Sequence, residues 1–208
     1  MTILWYLDET MKLKTIAEIQ SGHITRGRIE PRADGTYHLL QARDVDGESL
    51  SYEANAMIRF NPVKSEKDWI LKPGDLLFMA RGARNFTLLI KDLPDDVLAA
   101  ACFFIIRIKN RQMMPEYLHW YLNQDPVAHY LHRHSGRSVH MPVVRRAVLE
   151  SIHVPTPPLK TQKMVARTVE LMDEEQALLQ NLAKKRRALI TATCLKTISK
   201  QRLMKDDK

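Results

Sequence analysis

Three polar stretches of the sequence concentrate cationic and hydrogen-bonding side chains. Glycines interrupt each stretch, which is typical of exposed loops. Arginine can donate two hydrogen bonds to a guanine edge, arginine and lysine bind phosphates, and Asn, His and Ser add further contacts. The candidates are Arg26, Arg28 and Arg32; Arg81, Arg84 and Asn85; and His134, Arg137, Ser138 and His140. The alternative for any single member is an ordinary solvated loop charge.

Two clusters could in principle hold a metal ion, but neither is favoured. They are Asp92, Asp95 and Asp96 in one place, and His129, His132, His134 and His140 in the other. Pro94 and the surrounding turn composition favour a solvated loop for the carboxylates. No cysteine lies near the histidines and Gly136 interrupts them, which favours phosphate contact or plain surface over zinc. We therefore expect no metal site.

The sequence also lacks the motifs of a DNA-modifying enzyme. An amino-methyltransferase needs a glycine-rich cofactor loop and an Asn/Asp-Pro-Pro-aromatic motif. Asn61-Pro62-Val63 lacks the second proline and the aromatic residue, and no Gly-x-Gly-x-x-Gly is present. Cys102 lies in an apolar run without an evident base and is expected to fill core. These observations predict no catalytic residues and no cofactor.

Composition and charge set the class of protein. The 208 residues are 45% hydrophobic, enough for one sizeable core, and the net charge is +8. Residues 160–208 contain 12 Lys and Arg against 6 Asp and Glu, and so carry +6 of that charge. Such a basic balance indicates a nucleic-acid or acidic protein partner, although a solvated basic helix is the simpler alternative. Two cysteines, no signal-peptide pattern and no long apolar run predict a cytoplasmic protein without membrane contact.

Short strands are expected to position the polar stretches. The apolar run Leu76–Ala80 follows a Lys-Pro-Gly-Asp turn and is typical of a buried strand. Leu13–Ile19 fits either a helical turn or a strand. Further strands are predicted within 36–45, 57–60, 87–90 and 97–108, and helical segments after Pro115 and after Pro126. The pattern predicts a mixed α+β domain over residues 1–154.

The C-terminal part begins with a proline-rich strut, Val154–Leu159, and continues as one long helix. From Lys160 to about Arg202 there is no proline or glycine, and good helix formers dominate. A helix of this length exceeds what one compact domain covers, so it needs a partner. Apolar positions near a 3.5-residue repeat predict a coiled coil: Val165, Val169, Met172, Leu179, Leu182, Leu189 and Ile190. An amphipathic helix folded back on its own domain is the alternative.

The order of these signals resembles the specificity subunit of type I restriction-modification systems, with one target recognition domain and one helical spacer. The resemblance rests on Pro73-Gly74-Asp75-Leu76-Leu77, Arg81-Gly82, Pro115-Glu116-Tyr117-Leu118, Ser135-Gly136, Leu149, Ile152, Val154-Pro155-Thr156-Pro157-Pro158-Leu159 and Gln162. It covers about residues 13–198. Full family members carry two recognition domains and two antiparallel helices, whereas this chain has one of each and Lys160 where an acidic residue is usual.

The resemblance implies a non-catalytic, half-length specificity subunit. Residues 1–154 would recognise double-stranded DNA, and residues 155–208 would form the strut and the dimerisation helix. The implied partners are a second copy, an adenine methyltransferase subunit and a restriction subunit that translocates DNA. A symmetric dimer predicts a bipartite, palindromic target. The competing hypothesis is a protein-protein interaction adaptor that uses the long helix without specific DNA binding.

Overall fold

The chain folds into short strands and helices followed by one very long helix. In the computed structural model, the described residues are 9–24, 29–54, 57–62, 69–82, 84–134 and 143–206, with side chains as far as 198. The strands are β1 (Thr10–Lys12), β2 (Ala17–Ser21), β3 (Tyr37–Leu40), β4 (Val45–Asp46), β5 (Ser51–Tyr52), β6 (Ile58–Phe60), β7 (Leu76–Met79), β8 (Thr87–Leu89), β9 (Val97–Ala99), β10 (Phe103–Ile108) and β11 (His153–Pro155). The helices are α1 (Leu13–Ile16), α2 (Pro115–Leu122), α3 (Asp125–His134), α4 (Arg146–Glu150) and α5 (Leu159–Asp206), with a 3-10 turn at Ala42–Asp44. These elements confirm the predicted α+β class.

An antiparallel sheet of four strands, in the order β2-β10-β7-β8, forms the centre of the domain. All four residues of β7 are buried, so this strand is covered on both faces. That explains why Leu76–Met79 is a continuous apolar run rather than an alternating one. The prediction of a buried strand here is confirmed.

A second sheet, in the order β6-β3-β9, packs against the first, and its strands β3 and β9 are parallel. Val97–Ile108, which was predicted to form β-structure, therefore contains two strands that belong to two different sheets. The turn at Ala100–Cys102 separates them, and the Cys102 carbonyl accepts the Ala80 N–H at 2.9 Å. Burial raises the pKa of the Cys102 thiol, in keeping with the predicted packing role.

The first described elements combine the two alternatives that the sequence left open. Leu13–Ile16 is one helical turn, and the chain then extends at once into β2. The Leu13 N–H donates to the Ile152 carbonyl at 2.8 Å, a partner far away in sequence. Local propensity could not decide between helix and strand because a tertiary contact holds the helical turn.

One end of the four-stranded sheet is held by a buried ion pair. Arg107 donates from Nε and Nη2 to the two carboxylate oxygens of Asp75 at 2.8 and 2.7 Å, and this hydrogen bonding raises the Arg107 pKa. Asp75 also accepts the Lys72 N–H, and Gly74 takes a positive φ of 90° in the turn. The Pro-Gly-Asp motif therefore fixes β7 to β10 through a partner 32 residues away.

The proline strut is ordered by partners on two sides. β11 pairs antiparallel with β1, and the hydroxyls of Tyr117 and Tyr121 donate to the Pro155 and His153 carbonyls at 3.2 and 3.0 Å. Burial raises the pKa of Tyr117 to about 12. The two tyrosines are one helical turn apart on α2, so they reach alternate carbonyls of the same strand.

The long helix begins at Leu159, one residue before the predicted start, and extends to Asp206. Gln162, in its first turn, is only 1% exposed. Its Oε1 accepts the Met114 N–H at 2.9 Å, and its Nε2 donates to the Gln112 and Pro157 carbonyls at 2.8 Å each. The chain forms two compact units, Met1–Lys163 and Met164–Lys208, so this tie lies within the first unit. No helix in the described part of the chain is long and apolar enough to cross a membrane.

Candidate nucleic-acid interface

One described end of each polar stretch lies at the same end of the four-stranded sheet. At this end Ser21 pairs with Phe104, Phe103 with Met79, and Phe78 with Thr87. The first stretch leaves β2 here, and the second connects β7 to β8. We call this the loop end; the Asp75–Arg107 pair marks the opposite end.

Residues 99–103, which include the Ala100–Cys102 turn, form backbone hydrogen bonds with the starts of the first and second stretches. The His23 N–H donates to the Ala99 carbonyl at 2.7 Å, and the Ala80 N–H donates to the Cys102 carbonyl at 2.9 Å. A Cβ on Gly22 would lie 2.7 Å from the Ala99 oxygen, so only glycine fits this close approach.

The second stretch forms a tight connection that exposes two guanidinium groups. Arg81 and Arg84 are exposed and form no salt bridge with any residue of the described ranges. Asn85 is half-buried, and its Nδ2 donates to the Met79 carbonyl at 2.8 Å, so its amide helps to close the connection. The Met79 N–H also donates to the Phe86 carbonyl at 2.9 Å. These two hydrogen bonds tie the ends of the connection that carries the predicted arginines.

The third stretch returns to the same place. The backbone of Val143 forms an antiparallel bridge with Arg81, and the Val144 N–H donates to the Ala80 carbonyl at 3.0 Å. Arg145 follows directly and is exposed. Sequence reasoning missed Arg145, although the Arg145-Arg146 dipeptide was a usable signal; Arg146 pairs with Glu150 at 2.7 Å instead.

The first stretch is only partly brought into this group. The Arg32 N–H donates to the Arg59 carbonyl at 2.8 Å, and both side chains are exposed, so Arg32 lies beside the second sheet. Arg59 was not predicted as a contact residue. It lies within a strand, and nothing in the sequence indicated that Arg32 lies next to it. The His23 ring lies 5.6 Å from the Phe60 ring, which connects this pair to the loop end.

The remaining predicted contacts divide into described and undescribed positions. His134 is exposed at the end of α3. Its ring stacks on the Tyr130 ring, with the ring centres 4.2 Å apart, and its Nδ1 forms a hydrogen bond of 2.8 Å with the Tyr130 carbonyl. The other five lie outside the described residues: Arg26, Arg28, Arg137, Ser138 and His140. Within the described ranges, no group of three or more His, Cys, Asp or Glu side chains is placed to hold a metal ion.

The long helix carries a wide apolar face. Of the residues predicted for dimerisation, Val165 and Val169 are half-buried. The others are 57% to 68% exposed: Met172, Leu179, Leu182, Leu189 and Ile190. An apolar face of this extent is typical of a helix that packs against another chain.

The fold just described is that of the S subunits of type I restriction-modification systems. The chain is similar to the S subunit from M. genitalium (10% identity, TM-score 0.54) and to the HsdS subunit from Thermoanaerobacter tengcongensis (17%, 0.60), covering 88% and 86% of this chain. A third similar structure concerns the complex assembly and conformational transition of the type I R-M system. It shares 14% sequence identity with this chain, has a TM-score of 0.64 and covers 86% of the chain. The chain spans only 43%, 41% and 42% of these three proteins.

Residues 8–186 match the family described as the type I restriction modification DNA specificity domain, and the chain belongs to this family. No curated protein matches the chain in sequence. The family match confirms the resemblance inferred from the motifs, and it favours a specificity subunit over the interaction adaptor.

Proposed function

We propose that the chain binds double-stranded DNA through its loop end and acts as a specificity subunit without catalytic activity of its own. In this proposal residues 1–154 are the target recognition domain, and residues 155–208 are the strut and spacer. The observation that carries the proposal is the exposure of Arg81 and Arg84 on the connection between β7 and β8, where Val143, at the end of the third stretch, bridges to Arg81. Family membership supports the same function.

A comparison of two double variants tests where DNA binds. Arg81→Ala/Arg84→Ala removes two charges at the loop end, and Lys72→Ala/Arg111→Ala removes two exposed charges at the opposite end. Binding is measured by gel shift over a range of salt concentrations. Removing an arginine that binds a phosphate should reduce the slope of log K against log salt by about 1, and removing one that binds a base should cost about 1–3 kcal/mol. Only the loop-end variant should bind DNA more weakly in these ways. Equal weakening in both variants would contradict the proposed surface.

We further propose that a second copy binds the apolar face of α5, so that two recognition domains address a bipartite, palindromic target. The extent of the exposed apolar face supports this partner. Sedimentation should show a dimer for the full chain and a monomer for a chain ending before Lys160. Inserting seven residues in the middle of α5 should increase the spacing between half-sites and leave each half-site unchanged. A truncated chain that remains dimeric would rule out the spacer.

In this proposal, other subunits methylate and cleave the DNA. We propose that an adenine methyltransferase subunit and a restriction subunit dock on this dimer, and that the chain itself only directs them to DNA. The similar type I assembly supports the proposal. Adding the methyltransferase subunit should produce adenine methylation at the selected sequence, and the chain alone should produce none.

A further inference from the structure

The coiled-coil seam of α5 contains one acidic residue, Glu175, and two basic residues, Arg186 and Lys196. With Val165 as heptad position a, the a positions continue through Met172, Leu179, Arg186 and Thr193. The d positions are Thr168, Glu175, Leu182, Leu189 and Lys196. Glu175 and Arg186 are both exposed in the single chain, so both are available to a partner helix. Each would be costly to bury in a helix pair unless it met an opposite charge.

We infer that Glu175 and Arg186 fix the orientation and register of two paired copies. In an antiparallel coiled coil, position a of one helix faces position d of the other. Placing Arg186 against the partner's Glu175 also places Leu179 against the partner's Leu182 and Met172 against its Leu189. The same register matches Thr193 with Thr168. Val165 then meets the aliphatic stem of Lys196, whose ammonium group can reach water.

The parallel arrangement lacks this complementarity. There a faces a and d faces d, so Arg186 would meet Arg186 and Glu175 would meet Glu175 within the seam. The antiparallel register instead centres the two-fold axis between Gln180 and Asn181. The two first turns at Leu159 would then lie about 65 Å apart along the helices, at 1.5 Å per residue. This inference rests on the proposed second copy and specifies how it binds.

Crosslinking distinguishes the arrangements in the full chain carrying Cys194→Ser. In the inferred register, Met172 faces the partner's Leu189, and the two Met172 residues lie about 25 Å apart. A mixture of M172C and L189C chains should therefore form a mixed disulfide, whereas M172C alone should form none. A disulfide in M172C alone, or none in the mixture while the protein is dimeric, would overturn the register. A chain that sediments as a monomer at all concentrations would overturn the second copy as well.

Charge exchange tests the two residues directly. E175R and R186E should each weaken the dimer at least 100-fold, because the two-fold axis repeats each like-charge contact. The combined variant E175R/R186E restores both pairs and should dimerise like the wild type. As a control, E174R reverses a neighbouring charge at a position outside the seam and should have little effect. Unchanged dimerisation of both single variants would overturn the role of the pair.

A different observation supports a second inference, which concerns Asn123 at the junction of α2 and α3. Its Oδ1 accepts the Thr87 N–H at 2.8 Å, and its Nδ2 donates to the carbonyls of Thr87 and His119 at 3.0 and 2.9 Å. The Asn123 carboxamide thus satisfies both the N–H and the carbonyl of Thr87, as the backbone of a strand paired with β8 would. Thr87 is also the residue at which the connection carrying Arg81 and Arg84 ends.

Each end of this connection forms a backbone hydrogen bond, one with Asn123 and one with Val144. At its start, Ala80 binds Val144, which follows the third stretch. At its end, Thr87 binds Asn123, which precedes α3. We propose that Asn123 is a positioning residue that sets the distance between the second and third stretches for sequence readout. This inference rests on the proposed DNA binding.

Replacing Asn123 by Asp tests the inference, because a carboxylate cannot donate to the Thr87 carbonyl. Base preference is measured by selection from a randomised duplex pool with the full chain. N123D should reduce discrimination between preferred and mismatched duplexes at least 10-fold, while affinity for non-specific duplex stays within about twofold. Gln124→Ala, which removes an amide that donates to the Trp120 carbonyl, is the control. N123S provides a neutral second variant.

Three outcomes would overturn this inference. Unchanged discrimination in a folded variant would show that Asn123 does not position the stretches. Equal losses of specific and non-specific binding would indicate a reduced folded fraction instead. A wild-type chain without any base preference would overturn the proposed function together with the inference.

Discussion

Replacing the buried Gln162 in the first turn of α5 by Glu should lower the free energy of unfolding by an amount that depends on pH. The side chain is 1% exposed, accepts one backbone N–H and donates to two backbone carbonyls, all at 2.8–2.9 Å. An ionised glutamate keeps the acceptor for Met114 but places its second oxygen against the carbonyls of Gln112 and Pro157. It therefore loses two hydrogen bonds and adds repulsion with two oxygen atoms.

The magnitude follows from these three hydrogen bonds. Each net hydrogen bond contributes about 1 kcal/mol, so Gln162→Ala should lower the free energy of unfolding by about 3 kcal/mol. Gln162→Glu should lower it by at least as much at neutral pH, because the carboxylate is buried beside carbonyl oxygens. Lys163→Gln changes the net charge by the same amount at the exposed neighbour and should change stability by less than about 0.5 kcal/mol.

The pH dependence gives the decisive sign. In the Gln162→Glu variant, burial and the two carbonyls raise the pKa of the introduced carboxyl in the folded state above its unfolded value. Its protonated form can donate one hydrogen bond. The stabilisation that the protonated form of the introduced carboxyl provides is therefore fully present below the pKa of this carboxyl in the unfolded state. It is lost as pH rises through the pKa of the carboxyl in the folded state. The deficit relative to the wild type should shrink on acidification.

Denaturant unfolding followed by tryptophan fluorescence, at one fixed protein concentration, measures these differences. Trp120 on α2 lies close to the junction and reports on it. A deficit that grows as pH falls, or wild-type stability in both Gln162 variants, would refute the reasoning.

Three further predictions concern the domain. Asp75→Asn should lower the free energy of unfolding by about 3 kcal/mol, because it removes the carboxylate that the half-buried guanidinium of Arg107 binds through two hydrogen bonds; denaturant unfolding measures this, and a loss below about 1 kcal/mol would contradict it. Gly22→Ala should cost about 2 kcal/mol and shift thermal unfolding downward, since its Cβ meets backbone carbonyl oxygens that cannot move aside; an unchanged melting temperature would disprove the close approach. Burial raises the folded pKa of Tyr117 to about 12, above its unfolded value near 10, so its stabilisation is complete below about pH 10 and is lost as pH rises towards 12. Tyr117→Phe should weaken the alkaline dependence of the unfolding midpoints without abolishing it, because burial also raises the pKa of Tyr121; an alkaline profile identical to that of the wild type would count against the role of Tyr117.

The sequence predicted elements whose signal is local. The apolar run in β7, Pro115 at the start of α2 and the proline-free composition of α5 each determine structure within a few residues, and each element formed as expected. The division of residues 97–108 into two strands was not predictable in this way. It depends on β9 joining β3 in another sheet, a pairing across about 60 residues.

The candidate interface shows the same limit. Arginine and asparagine in a glycine-containing loop are equally suited to contact a ligand or to close the loop itself. The structure separates these roles in the second stretch, where Arg81 and Arg84 are exposed while the Asn85 amide binds the Met79 carbonyl. Arg145 was missed because only the return of the third stretch to Ala80 places it near the loop end.

Two of the residues that made the family recognisable lie where their surroundings allow few replacements. Asp75 and Gln162 are buried polar groups, and each must satisfy several fixed partners at once. Exposed arginines at the loop end have no such constraint, because water satisfies them in the free protein. A resemblance carried by Asp75 and Gln162 therefore identifies the scaffold and the junction with the spacer. The exposed loop-end side chains can change without cost to the fold, which is consistent with one fold being shared at only 10–17% sequence identity.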